Sequence, residues 1–276
     1  MRSTRLTYHS RLEQFTIDSE GASVQRDGLS SRRVTNSLLM HDLTGIRAVT
    51  FDVGGTLIQQ WPSVGHVYAE VAGRFGVPDA PPEVLNRQFL AAWRARSQFD
   101  YSRSAWLDLV EQSFVGVARP LPAGCFAAIY DQFAQSDAWR VFPEVVPVLE
   151  ELTRRGLRLA VISNWDERLE PLLERLRLRP YFESVVVSHW LGRTKPAPEI
   201  FLNALQQLNL PPGEVLHVGD SRAEDFEGAH AAGLSARLLW REAVSGSAGH
   251  LRSLAELPAL LAPEGPRSLP PEEGRD

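Results

Sequence analysis

Four short stretches carry side chains that could act together on phosphorus. Asp52-Val53-Gly54-Gly55-Thr56-Leu57 follows one apolar run, Ser163-Asn164 closes a second, and Gly219-Asp220-Ser221 closes another. Lys195 stands between the last two, at the entrance to a helical pattern. An aspartate can attack phosphorus in line and form an acyl phosphate, which divides one hydrolysis into two displacements. A serine hydroxyl can donate to a phosphoryl oxygen, and a compact ammonium can stabilise charge developing on the transferring group. Asp52, Asp220 and Asp225 could also share Mg²⁺, a hard ion that takes a few carboxylates and keeps several waters. Taken singly, each signal has a plainer account: Asp, Gly and Thr are common in turns, and acids near a helix start complement its dipole. The lysine is harder to dismiss, because Lys195 is the only lysine among 29 basic residues.

These residues need elements that bring them together. Short apolar runs at Ile46–Phe51, Leu157–Ile162, Phe182–Val187, Val215–Val218 and Ala236–Trp240 are too short for core helices and several are rich in β-branched residues, as buried parallel strands are. Between the later runs the period changes to 3.6. Leu169, Leu172, Leu173 and Leu176 share one face, with Asp166 as a candidate N-cap. Ile200, Phe201, Ala204, Leu205 and Leu208 share another, entered through Pro198. Alternation of this kind predicts a doubly wound α/β sheet, whose ligand crevice lies at the carboxyl ends of the strands. All four motifs fall at or just after such ends.

About 100 residues separate the first run from the second, and they are helical by pattern. Val67, Tyr68, Val71, Ala72 and Phe75 share a face that stops at Gly76, and helix-like stretches follow at Val84–Arg96, Ala105–Val117 and Phe126–Ala134. Pro143–Arg155 leads back into the sheet. The expected organisation is an α/β core over 46–61 and 139–262, with an all-helical insertion at 62–138. Residues 1–45, rich in Ser and Arg, read as a disordered leader, with Met40 as a candidate start; Pro263 to Asp276 reads as a solvated tail.

The order and placement of the four motifs resemble the haloacid dehalogenase-like hydrolase superfamily, over residues 46–240. The resemblance implies a Rossmann-like core with a helical cap, Asp52 as nucleophile, and Ser163 and Lys195 as partners of the phosphoryl group. Thr56 and Asn164 are further candidates for substrate contact. It also implies Mg²⁺ held by Asp52, Asp220 and the backbone carbonyl of Gly54, with Asp225 supporting Lys195 or a metal-bound water from behind. Glu224 stands where many relatives have Asn.

Gly54 is the main departure. Phosphatases of the superfamily carry a second Asp two residues after the nucleophile, which protonates the leaving group and then activates water. Glycine does neither, and general acid–base help is typically worth ~10²–10⁴-fold. Dehalogenases need no acid like Asp220, phosphonate hydrolases need a cap lysine that 62–138 lacks, and sugar phosphomutases need the second Asp. The expectation is a cytoplasmic, Mg²⁺-dependent, phosphatase-like hydrolase of a small phosphorylated compound. The alternative is a non-catalytic phospholigand-binding or protein-interaction module on the same scaffold.

Composition bounds these readings. The 276 residues are 43% hydrophobic and 23% charged with a net charge of −5, so neither disorder throughout nor bulk attraction to nucleic acid is expected. No apolar stretch approaches the roughly 18 residues that span a bilayer. The lone Cys125 excludes a disulfide framework. His66, His189, His217 and His230 show no ligand spacing and read as structural. The cap aromatics Phe89, Trp93, Phe99, Trp106, Phe114, Phe126 and Phe133 read mainly as the cap's own core, and Trp165 as a wall of the site. Oligomeric state is not legible.

Overall fold

The computed structural model describes residues 43–96, 99–242 and 250–261. The leader over 1–42, the start at Met40 and the tail over 263–276 lie outside the described residues. Of the segment assigned to the leader, Leu43 packs against the core.

In chain order the elements are β1 (Ala48–Phe51), β2 (Ile58–Gln60), α1 (Val64–Arg74), α2 (Pro82–Ala95), α3 (Arg103–Ser113) and α4 (Cys125–Gln132). They continue with β3 (Trp139–Val141), α5 (Val145–Arg154), β4 (Arg158–Ser163), α6 (Leu169–Arg175), β5 (Ser184–Val187) and α7 (Ser188–Leu191). The last are α8 (Pro198–Leu208), β6 (Val215–Gly219), α9 (Gly228–Ala231), β7 (Ser235–Leu239), β8 (His250–Leu251) and α10 (Leu257–Leu260).

Six strands form one parallel sheet in the order β5-β4-β1-β6-β7-β8. The chain adds β4 and β5 on one side of β1, then crosses to β6, β7 and β8 on the other, so the order reverses at β1. That reversal opens a crevice beyond the carboxyl ends of β1, β4 and β6. Strand β1 is buried along its whole length, and its alternation supplies both layers. Val49 and Phe51 join Val145, Val148, Leu149 and Leu152 of α5 and Leu169 and Leu172 of α6 on one side. Ala48, with Ala160 and Ile162 of β4, packs under Ile200, Phe201, Ala204 and Leu208 of α8 on the other. Each face buries a row of aliphatic side chains, worth about 1.5–3 kcal/mol apiece. The five expected strands all form; β8, only two residues long, had no run by which to be seen.

Helices α1–α4 make the cap, with a core of their own. Tyr68 sits at its centre, its ring 5.9 to 6.1 Å from those of Phe89, Phe114 and Phe133. Cys125 is buried in the same cluster. Ser63 starts α1 by accepting the His66 N–H. The chain leaves and re-enters the core through an antiparallel pair, β2 and β3, with Ile58 opposite Val141 and Gln60 opposite Trp139. Those strands are three residues each, too short for a period to show in sequence.

Asp166 lies three residues ahead of α6, and its Oδ1 accepts the Arg168 backbone N–H at 3.1 Å, so it caps the turn that leads into the helix rather than the first helical residue. Its buried carboxylate accepts the Trp106 indole N–H from the cap at 2.8 Å and a forked pair of bonds from Arg168 at 2.8 and 2.6 Å. Arg168 also donates to the Tyr130 carbonyl at 2.8 Å, and the Tyr130 hydroxyl donates to Glu167 at 2.9 Å. The loop after β4 is thus latched to α3 and α4.

Candidate active site

Asp52 directly follows β1. Its backbone N–H still bonds the Val218 carbonyl at 2.9 Å, so the side chain inherits the rigidity of the sheet. Ser163 ends β4, one strand over, and its hydroxyl donates to Asp52 Oδ1 at 3.0 Å. Lys195 reaches the same oxygen at 2.7 Å and Asp225 Oδ1 at 2.6 Å, with a third bond to the Ile162 carbonyl at 3.0 Å. All three ammonium protons are therefore spent, in a position only 3% exposed. Burial alone would discharge this lysine, but Asp225 and Asp52 outweigh it and hold the ammonium charged well above the ordinary lysine range.

The loop bearing Lys195 is fixed by Asn164. Its Oδ1 accepts the Lys195 backbone N–H at 2.7 Å, and its Nδ2 donates to the Lys195 carbonyl and to Glu224 Oε2, each at 3.0 Å. Asp225 is the inner anchor: Oδ1 takes Lys195, and Oδ2 accepts the Ser221 N–H at 2.9 Å. Burial opposes its charge, yet Lys195 and His217 win and keep it ionised far below the usual carboxylate range. Asp225 sits in a π-helical turn, Arg222–Glu227, after β6, and such turns concentrate at functional sites.

His217 is the residue that the sequence hid. It is fully buried in β6, bonded to Thr50 Oγ1 at 2.9 Å through Nδ1 and to Asp225 Oδ1 at 3.2 Å through Nε2. Burial outweighs Asp225 and pushes its pKa down, so the neutral ring donates to Asp225 while Thr50 donates to the ring. A lone histidine inside a strand gives no motif. Only the pairing of β1 with β6 reveals its partners.

Asp220 follows β6 and opens onto the crevice, crowded by protein and facing Asp52. Burial first, then the Asp52 charge, hold its pKa well above the carboxylate norm. Asp52 is likewise raised by burial in spite of Lys195. Carboxylate oxygens of Asp52, Asp220 and Asp225 come within 4.8 Å of one another. Gly55 makes the approach possible: its φ is +78°, and a Cβ there would lie 2.2 Å from Asp220 Oδ2. Crowded carboxylates in a hard-oxygen donor set suit Mg²⁺, and such an ion would favour the ionised forms of Asp52 and Asp220 that burial and neighbouring negative charge oppose.

The crevice continues into the cap as a cavity of about 390 Å³. Of the expected site residues, Asp52, Gly54, Ser163, Asn164, Asp220 and Asp225 line it, and Lys195 lies just behind Asp52. Thr56 is not brought there; its hydroxyl is buried away from the cavity. Trp165 does form a wall, over Gly54: a Cβ on Gly54 would stand 3.3 Å from Trp165 Cζ3. More cap aromatics reach the cavity than expected, Phe89, Trp93, Trp106, Phe126 and Phe133 among them.

A reversed parallel sheet that gathers carboxylates, a serine and one lysine at its carboxyl edge, beneath an inserted helical lid, defines a capped α/β protein built to handle a charged group. The family profile of haloacid dehalogenase-like hydrolases matches residues 46–233. Human haloacid dehalogenase-like hydrolase domain-containing protein 3 is 37% identical over 206 residues, spanning 70% of this chain and 82% of that one. Phosphoglycolate phosphatase 1 of Pseudomonas aeruginosa is 30% identical over 227 residues, spanning 82% and 79%. The fold is also that of a HAD phosphatase from Thermococcus onnurineus (TM-score 0.58, 24% identity, 78% and 98% covered) and of L-2-haloacid dehalogenase from Xanthobacter autotrophicus (0.60, 22%, 78% and 98%). The chain belongs to the haloacid dehalogenase-like hydrolases, and its relatives include phosphatases.

Proposed function

We propose that this chain is a cytoplasmic, Mg²⁺-dependent, phosphatase-like hydrolase that transfers a phosphoryl group from a small compound to Asp52 and then to water. The observation that carries the reading is the grip on one oxygen of Asp52. Ser163 and Lys195 both bond Oδ1, which orients the carboxylate and leaves Oδ2 to attack. In this reading the same two donors then face the phosphoryl oxygens, where fixed positive partners lower the barrier. Asp225, with His217 behind it, already holds the ammonium beside Asp52, so Lys195 would only exchange its bond to Asp52 Oδ1 for a phosphoryl oxygen as the acyl phosphate forms. Asp52, Asp220 and the Gly54 carbonyl would hold Mg²⁺, and the bound ion would supply charge neutralisation and orientation of the phosphoryl group.

Gly54 and Trp165 set the limit of the machinery. The position of the usual acid/base has no carboxylate, and an indole edge occupies the space beside it. Attack by Asp52 then relies on a leaving group that needs no proton, such as acetate, and activation of water is not assisted. With Mg²⁺ and acetyl phosphate, wild-type protein should release a burst of acetate close to one per chain, followed by turnover slowed by about 10²-fold or more relative to the burst. Asp52→Asn should abolish both phases. Fast linear turnover without a burst would mean that another group activates water. The Gly54–Trp165 contact equally favours the second reading, a phospholigand-binding module without turnover, and absence of both phases in the wild type would select it.

A further inference from the structure

Resting on the Asp52 chemistry above, we infer that the compound this site takes is an aryl phosphate, a phosphomonoester whose bridging oxygen is carried on a flat, apolar ring.

The first argument is the shape of the space beyond the phosphoryl position. From Asp52 and Asp220 the cavity runs into the cap, where Phe89, Trp93, Trp106, Phe126 and Tyr130 line it. Apolar walls of this kind bind by area and flatness, with little penalty for a ring that has no polar edge. The cations that a second anionic group would need are already engaged. Arg168 is forked onto Asp166 and bonded to the Tyr130 carbonyl, with its guanidinium 3.6 Å from the Tyr130 ring centre. Arg96 lies over Trp93, 3.3 Å from the ring centre, and donates to the Trp93 carbonyl. A small carboxylated phosphate would meet mainly apolar walls and, of the two arginines at the cavity, one already paired with a carboxylate and one stacked on an indole.

The second argument is independent of the walls. No acid stands at position 54 to protonate the leaving oxygen, and Trp165 lies against that glycine. The leaving group must therefore depart as an anion. As Asp52 forms its bond to phosphorus, the bond from phosphorus to the bridging oxygen breaks, and its electron pair stays on that oxygen. A ring that delocalises the charge makes this a phenolate, which later takes a proton from water. Water then attacks the aspartyl-phosphate, its oxygen joining phosphorus while Asp52 regains its carboxylate and one water proton passes to the phosphate released. An alkyl ester, leaving as an alkoxide, would be a poor substrate for the same machinery.

The test compares 1-naphthyl phosphate, phenyl phosphate, acetyl phosphate and phosphoglycolate in Mg²⁺, by kcat/KM and by acid-quenched labelling of Asp52. Acetate is a better leaving group than any simple phenol, so acetyl phosphate serves as the control for labelling of Asp52, and the ring is read from naphthyl against phenyl phosphate, whose leaving groups are of similar basicity. Naphthyl phosphate should exceed phenyl phosphate by about 10-fold in kcat/KM, the range expected for burying the second ring. Phe126→Ala should narrow that ratio by about 10-fold, and a ratio does not depend on how much of the variant folds. Labelling of Asp52 with phosphoglycolate preferred over both aryl esters, or with naphthyl and phenyl phosphate used alike, would overturn the aryl assignment and leave the Asp52 reaction standing. No labelling by any of the four would overturn the reaction itself, and the aryl assignment with it.

Discussion

Lys195 is held between two carboxylates in a place water hardly reaches, and its removal should be felt in stability as well as in chemistry. Replacing one partner of a buried charge cluster leaves the others uncompensated, at a cost of about 3–5 kcal/mol. Lys195→Met should lower unfolding stability in urea by that amount, and Lys195→Met with Asp225→Asn should recover part of it. A loss under 1 kcal/mol in the single variant would mean that Asp52 and Asp225 do not depend on the ammonium. Asp220 is the opposite case, since its raised pKa records an unfavourable charge when no cation is bound. Asp220→Asn should leave metal-free protein at least as stable as wild type in urea, because the carboxylate that crowding by protein and the Asp52 charge disfavour is gone, with solvent at the crevice mouth damping the gain. Wild-type protein at 100 times the Mg²⁺ dissociation constant should gain about 2.7 kcal/mol, and the variant should lose most of this gain. An equal Mg²⁺ response in calorimetric melts of both proteins would show that the carboxylates are not the ion's ligands. At this scale the sequence was informative where chemistry follows a strand end, as at Asp52, Ser163 and Asp220. It was silent where a role depends on a neighbour from another strand, as for His217, whose partners Thr50 and Asp225 meet only in the folded sheet.

Among the elements, legibility followed length and monotony. Strand β4 shows itself in sequence because it is buried throughout but for its first residue. Strands β2 and β3 do not, although they carry the chain to and from the cap, because three residues hold no period. The loop after β4 was legible only in part: Asp166 caps the turn into α6 through the Arg168 N–H, but the same carboxylate also takes the Arg168 guanidinium and the Trp106 indole, partners that no local pattern reveals. The Trp106–Asp166 bond ties α3 to that loop, so its loss should loosen the cap. Trp106→Phe keeps an aromatic ring but deletes the N–H together with the pyrrole half of the indole; loss of the bond should cost about 1–2 kcal/mol and speed amide exchange in α3 about 10-fold, the equivalent of 1.4 kcal/mol in local opening. Unchanged exchange across Arg103–Ser113 would mean that the latch is held by Arg168 and Tyr130 alone.

Seen whole, the molecule divides its labour between a rigid sheet that fixes charge and a lid that supplies an apolar enclosure. A doubly wound parallel sheet could be anticipated, because strands alternating with helices have few solutions, whereas the strand order is seen only in the folded chain. The lid's interior could not, because an aromatic residue at helical spacing has the same signature whether it faces its own core, like Phe114, or the cavity, like Trp93. Both halves converge on Asp52, and the most direct measurement is made there. Protein mixed with acetyl phosphate and Mg²⁺, quenched in acid within one turnover and mapped by peptide mass spectrometry, should carry a single phosphoryl group on the peptide containing Asp52. Hydroxylamine should remove it, and Asp52→Asn protein should remain unlabelled. Product release by wild-type protein with no phosphoryl group on Asp52 at any quench time would contradict the aspartyl-phosphate.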